Sequence, residues 1–150
     1  MSSTLRFSAY RSRDKNSCLA LFDENCPKYF AANEREDYEN FLDTMPEGYQ
    51  VCTLDEAVVG AFGILGDEAD YKHINWILIS PKSQGLGIGA QFMKRAIAAG
   101  KANHLKHIKI AASHLSAPFF AKFGAIKVSE QAHGWGQDMH RIDMELAISG

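Results

Sequence analysis

Long apolar runs are missing from this sequence. No stretch approaches the roughly 20 residues that a membrane span needs, and residues 1–14 hold no apolar signal core, so a cytoplasmic location is expected. An excess of one charge is missing too. Sixteen Lys and Arg stand against eighteen Asp and Glu, a formal charge of -2, so nothing global draws the chain to nucleic acid or to an anionic membrane. Cysteine is scarce. Cys18, Cys26 and Cys52 form no C-x-x-C and leave one thiol over in any pairing, the usage of a reducing compartment. No His/Cys cluster has metal-ligand spacing, so no metal is expected. Internal repeats, low-complexity tracts and Pro/Ser-rich linkers are also absent. What remains is 46% hydrophobic and 23% charged over 150 residues, the composition of one soluble globular domain spanning 1–150.

The periodicities then place elements. Residues 5–10 alternate as a short strand, and residues 14–24 carry Cys18, Leu21 and Phe22 at helical spacing before Pro27. Asn33, Glu34, Arg35 and Glu36 resemble a capping box opening a second helix through Leu42. Residues 49–54 and 57–65 read as a hairpin turning at Asp55 and Glu56. Residues 73–79 read as one central strand, closed by Ser80 and Pro81. A helix follows with Ile88, Phe92, Met93, Ala96 and Ile97 on one face, then a strand over 108–112. A short helix over 119–123 has Pro118 in its first turn and Gly124 after it. Val128 lies in a further strand, and Ile142, Met144, Leu146 and Ile148 alternate as a half-buried last one. The order predicts an α/β domain with a mixed sheet.

Between the central strand and the long helix lies Gln84-Gly85-Leu86-Gly87-Ile88-Gly89. A strand, a glycine-rich turn and a helix N-terminus together make an anion site. The first helical N–H groups have no internal partner, the helix dipole adds positive potential, and glycines let the backbone approach closely. A phosphate-bearing ligand is predicted. A Walker A loop is excluded, because no Gly-Lys-Ser/Thr follows. The dinucleotide pattern fits poorly, because residues 81–84 intervene after the strand and residues 104–112 hold no acid.

The run from Ile77 to Gly89 resembles the central motif of the GCN5-related N-acetyltransferases (GNAT): an apolar strand, a proline, then Gln/Arg-x-x-Gly-x-Gly/Ala and a helix. Gln84, Gly87 and Gly89 fill those places. About 30 residues on, Ser113, His114, Leu115, Ser116, Ala117, Pro118, Phe119, Phe120, Ala121, Lys122, Phe123 and Gly124 resemble the family's second motif. The segment around His133, Gly134, Trp135, Gly136 and His140 is similar to a small bacterial-type branch. The resemblance spans nearly the whole chain. It implies a mixed, mostly antiparallel sheet of six to seven strands flanked by about four helices, with acetyl-coenzyme A as cofactor. The main chain of Ile77, Leu78 and Ile79 would meet the pantetheine arm. The amides of Gln84, Gly85, Leu86, Gly87, Ile88, Gly89 and Ala90 would cradle the pyrophosphate, with Ser113 and Phe120 near the coenzyme. The resemblance further implies an amine acceptor, small molecule or peptide, and a homodimer.

Acetyl transfer needs a neutral amine, a stabilised thioester oxygen and a protonated leaving thiolate. Keeping a Lys-like amine neutral at pH 7 costs roughly 4.6 kcal/mol, which a base or desolvation must offset. The sequence departs from the family at the proton donor: the usual Tyr is Phe120, which has no hydroxyl. Ser116, His114 or the His133–His140 region could replace it. For the base, His73, Asp67, Glu68, Glu34 and Glu36 are candidates. Tyr29, Phe30, Glu34, Trp76 and Trp135 are candidates for the acceptor side, although aromatics at such positions are more often core. Two other readings stay open: a coenzyme A-binding sensor with little catalysis, and a dinucleotide-dependent oxidoreductase.

Overall fold

Asp55 and Glu56 both take left-handed backbone angles, with φ of 51° and 71°. Two such residues in succession make the hairpin turn that matches strand twist, and here they join β2 (Tyr49–Leu54) to β3 (Ala57–Gly63). The computed structural model describes residues 4–26, 28, 30–74, 76–83 and 85–148. Around this hairpin, β1 (Leu5–Ala9) pairs antiparallel with β2, and β5 (Leu78–Ile79) pairs antiparallel with β3. That completes a sheet in the order β1-β2-β3-β5. A second sheet runs β4-β6-β8-β7, built from β4 (Tyr71–Ile74), β6 (His107–Ser113), β7 (Ile126–Gly136) and β8 (Met139–Ala147). Its β4–β6 pair is parallel and the others antiparallel.

The two sheets join where the sequence predicts one central strand. β4 and β5 are the two ends of residues 71–79, and the ladder breaks between them. Leu65 and His73 exchange two N–H···O bonds of 2.8 Å, seaming the first sheet to the second at the β4 end. Five residues beyond His73, β5 pairs with β3 and not with β6. The expected six to seven strands in one sheet are therefore eight, in two four-stranded sheets that diverge from the seam.

Helices cover the faces unequally. α3 (Ile88–Ala102) and α4 (Ala117–Ala121) bury Ile88, Phe92, Met93, Ala96 and Phe120 against Phe62, Ile108, Ile110, Ile142, Met144 and Leu146, which spans both sheets. α1 (Lys15–Asn25) and α2 (Glu34–Asp43) bury Cys18, Leu21, Phe22, Tyr38 and Leu42 against Tyr49, Val51, Ala61 and Leu78, all of the first sheet. On that side the second sheet stays uncovered. Its floor is polar, with His73, Lys109, Ser129, Arg141, Asp143 and Glu145 around a groove of about 420 Å³.

One expected local device takes another form. Asn33 makes no side-chain cap on α2. Its Nδ2 donates to the Trp135 carbonyl oxygen (3.1 Å). The orphan amide of Ala31 is met instead by Glu34 Oε2 (2.7 Å). Among the described residues no helix is long and apolar enough to cross a membrane.

Candidate active site

Where β5 parts from β6, each strand presents an edge without a strand partner across the gap, and a cleft of about 260 Å³ opens between them. Ile77 and Ile79 line one side, and Ala111 and Ser113 the other. Leu115, Ser116, Phe119 and Phe120 close the α4 end. Asn25, Phe30, Glu34 and Trp135 stand at the opposite end.

Main-chain alternation decides which groups face this space. The Ser80 N–H donates to Val59 O (2.8 Å), and the Trp76 carbonyl accepts from Tyr49 Oη (2.9 Å). Residues 76, 78 and 80 thus turn their polar groups toward β3 and β2, and Ile77 and Ile79 turn theirs to the cleft. Leu78 is a correction to the expected trio: its main chain lies on the β3 side and its side chain is buried beneath α1. The Ile79 carbonyl already accepts from Asn25 Nδ2 (3.1 Å), whose other partner is Leu21 O (2.8 Å). Asn25 is nearly fully buried and ties the end of α1 to the cleft edge. Sequence reading passed over it, because an Asn two residues before a proline reads only as a helix stop.

The glycine turn leads directly to this cleft. Gly85 and Gly87 have φ of 90° and 74°, and a Cβ at either would meet nothing within 4 Å. The concave side of the turn is open. Gly87 is the N-cap of α3 and has no side chain to satisfy its first amides, so the N–H groups of residues 88–90 remain for an anion. Ile88 turns its side chain into the core, leaving only its main chain to this role. At Gly89 a Cβ would lie 2.8 Å from Phe119 Cζ, so α3 starts against the wall of the cleft. Gln84 lies outside the described residues, as do Pro27, Tyr29 and Asn75.

Glu34 is the outstanding charge in the cleft. It is 4% exposed, and burial pushes its carboxyl up to about 7, against the opposing pull of the Ala31 N–H. Beside it Phe30 stacks on Trp76, with ring centroids 5.9 Å apart. Trp76 itself packs on Tyr38 at 4.9 Å and backs the cleft rather than lining it. Trp135 is fixed on three sides. Its Nε1 donates to Ala112 O (2.9 Å), its carbonyl accepts from Asn33, and the Arg141 guanidinium lies 4.9 Å over its ring. The loop before α2 and the β7–β8 hairpin are thus bonded to each other across the mouth.

The three candidates for proton transfer separate. Ser116 lines the cleft. Its Oγ accepts from the Ser113 N–H (3.0 Å), and its N–H donates to Ser113 Oγ (3.1 Å). His73 is in the outer groove with Lys109 and Arg141, and burial lowers its pKa. His114 packs at a tilt against His140 with centroids 4.7 Å apart, and His140 meets His133 edge to face at 4.8 Å. Each Nδ1 in this ladder accepts a main-chain N–H: His114 from His140, His140 from His133, and His133 from Asp138. The ladder braces the β7–β8 hairpin behind Trp135. Phe120, at the usual Tyr position, is fully buried with its ring at the cleft.

The profile of the acetyltransferase (GNAT) domain matches residues 20–146. A search of curated proteins gave no match. Solved structures of the same fold include Ard1 from Thermoplasma volcanium, at 13% identity and a TM-score of 0.81, covering all of both chains. The ribosomal-protein-S18-alanine N-acetyltransferase from Escherichia coli is similar at 14% identity and a TM-score of 0.79, over 98% of this chain and 96% of that one. N-acetylglutamate synthase from Neisseria gonorrhoeae, solved with coenzyme A and N-acetyl-glutamate, matches at 16% identity and a TM-score of 0.74, over all of this chain and 36% of that one. The diverging sheets, the open glycine turn and the family match agree, and the chain belongs to the GNAT acetyltransferase family. It is an acyltransferase, and the cofactor of its family is acetyl-coenzyme A.

Proposed function

We propose that the protein acetylates a primary amine, borne by a small molecule or a peptide, by direct transfer in a ternary complex. The observation that carries this reading is the buried carboxylate of Glu34, placed in the cleft opposite the α4 end. Acetyl-coenzyme A supplies the activated acyl group as a thioester when bound. The amides of residues 85–90 would hold its pyrophosphate, and the cleft edge at Ile77 and Ile79 its acyl end. Main-chain N–H groups on that edge are suited to a developing oxyanion, because they are fixed before the reaction begins. The amine would enter over the polar floor of the second sheet, between Phe30 and Trp135. Glu34 takes the ammonium proton. A carboxyl near 7 is matched to that work at neutral pH, where an ordinary carboxylate is too weak a base. With Phe120 in place of a tyrosine, the Ser116 hydroxyl, which donates at 3.4 Å to Ser113 O in the free protein, would turn to the leaving sulfur. A thiolate of pKa about 8.5 also leaves tolerably without help.

The test is Glu34→Gln. Loss of the base should lower kcat/KM by on the order of 10² to 10⁴, while coenzyme A binding, read by calorimetry, stays unchanged. The wild-type rate should rise with pH through about 7 as Glu34 ionises. A Gln variant of full activity would remove Glu34 from the chemistry.

A further inference from the structure

A chain of buried hydroxyls runs under α1 and α2 and ends at the cleft. Tyr49 Oη donates to Trp76 O (2.9 Å). A phenol has one proton to give, so the 2.8 Å contact between Tyr38 Oη and Tyr49 Oη must have Tyr38 as donor. The Cys18 thiol lies beside Tyr38 in the same buried layer. Cys18, Tyr38 and Tyr49 are all fully buried. Burial holds both phenols and the thiol protonated, so the direction of donation does not reverse.

The acceptor at the end of this chain is informative. In the β3–β5 pair, Ala61 faces Leu78 and Gly60 faces Ile79. Continued by two residues, that register would set Gly63 opposite Trp76. Pairing on β5 begins only at Leu78, and Gly63 is the last residue of β3. The Trp76 carbonyl therefore lies just past the ladder, at the point where the chain leaves β6 for β3. A partly buried carbonyl beyond the end of a ladder needs a donor, and a side chain from β2 provides it.

We propose that the Tyr49 hydroxyl replaces the strand partner Trp76 lacks, and so fixes the parting of β5 from β6 and the aim of the Ile77 and Ile79 main chain into the cleft. Tyr49 is a positioning residue, for it touches neither reactant. Its consequence for the acetyl group rests on the donor reading above. Its consequence for the strand does not.

The experiment compares wild type, Tyr49→Phe and Tyr38→Phe. Tyr49→Phe keeps the ring contacts to Phe41 (5.1 Å) and Tyr10 (6.1 Å) and removes both the donor to Trp76 and the acceptor of the Tyr38 hydroxyl; Tyr38→Phe removes the second bond alone and so separates the two. Amide hydrogen exchange over residues 76–80 should quicken at least tenfold, with α3 unchanged. By calorimetry, the preference for acetyl-coenzyme A over coenzyme A should shrink toward one, with coenzyme A affinity itself within twofold. Tyr38→Phe leaves the Tyr49 donation in place, so exchange over 76–80 should stay within threefold of wild type. Wild-type exchange in Tyr49→Phe overturns the proposal. So does equal loosening in Tyr38→Phe, which would mean that packing and not the hydroxyl holds the edge. If Tyr49→Phe fails to fold, the Tyr49 hydroxyl proton of wild type decides by NMR: slow exchange with water supports the bond to Trp76, and rapid exchange overturns the proposal. Failure of wild type to bind acetyl-coenzyme A overturns the donor reading, and the exchange data still judge the strand.

Discussion

Glu34 should leave its mark on stability as well as on rate. Its carboxyl titrates at about 7 in the folded chain and near ~4.3 when unfolded. Below pH 4 both states are protonated and the residue is neutral in the balance. Between those two values the unfolded chain releases the proton and the folded chain keeps it, so folding loses free energy as pH rises. Above about 7 the loss is complete. A shift of roughly 2.7 units corresponds to about 3 to 4 kcal/mol. Glu34→Gln has no proton to lose, while its side-chain oxygen can still accept from Ala31. The difference in unfolding free energy between pH 5 and pH 8 should therefore be smaller by about 2 to 3 kcal/mol in Glu34→Gln than in wild type. Urea unfolding of both proteins at the two pH values, in one buffer series, measures it. Parallel pH dependence would refute the account of Glu34 as a desolvated carboxyl, and with it the base assignment.

Four other outcomes follow from the geometry. Gly87→Val places a β-branched residue at φ 74°; it should lower coenzyme A affinity at least tenfold by calorimetry and reduce stability by roughly 1 to 2 kcal/mol. Asn33→Ala removes the bond to Trp135 and frees the mouth of the cleft; the acceptor KM should rise more than kcat falls, in steady-state assays with any accepted amine. His140→Phe keeps a ring in the histidine ladder but takes the acceptor from the His133 amide; chemical unfolding should show a loss of about 1 kcal/mol. Ser116→Ala should reduce kcat without changing acetyl-coenzyme A binding, and an unchanged kcat would mean that the thiolate leaves unassisted.

The elements were legible where one periodicity ruled. The apolar face of α3 at Ile88, Phe92, Met93 and Ala96 is the buried face found, and Ile142, Met144 and Leu146 alternate inward in β8. Pro118 and Gly124 bracket the short helix α4, and Gly124 takes φ 101°. The glycine turn was legible as a turn, with Gly85 and Gly87 both at positive φ, because glycine density serves a local geometry. What depends on distant pairing was not. The break inside residues 71–79 carries no local sign, since Trp76 and Ile77 are as strand-prone as their neighbours; the cause is Leu65 and Tyr49, elsewhere in the chain. Asn33 had the chemistry of a cap, and a tertiary partner, Trp135, claimed it. His73, His114 and Ser116 looked alike as polar residues near motifs, and only the divergence of the sheets puts Ser116 alone in the cleft. Asn25 was hidden because its partner, the Ile79 carbonyl, belongs to main chain.

The unfinished ladder at Trp76 and Ile77 sets a ceiling on how far this protein can be stabilised by design. Substitutions that let those residues complete their pairing would join the two sheets into one and be scored as improvements by melting temperature. They would also erase the space in which the reaction takes place. A screen for heat resistance run without an activity filter should accumulate its gains around Trp76, and those variants should be the inactive ones.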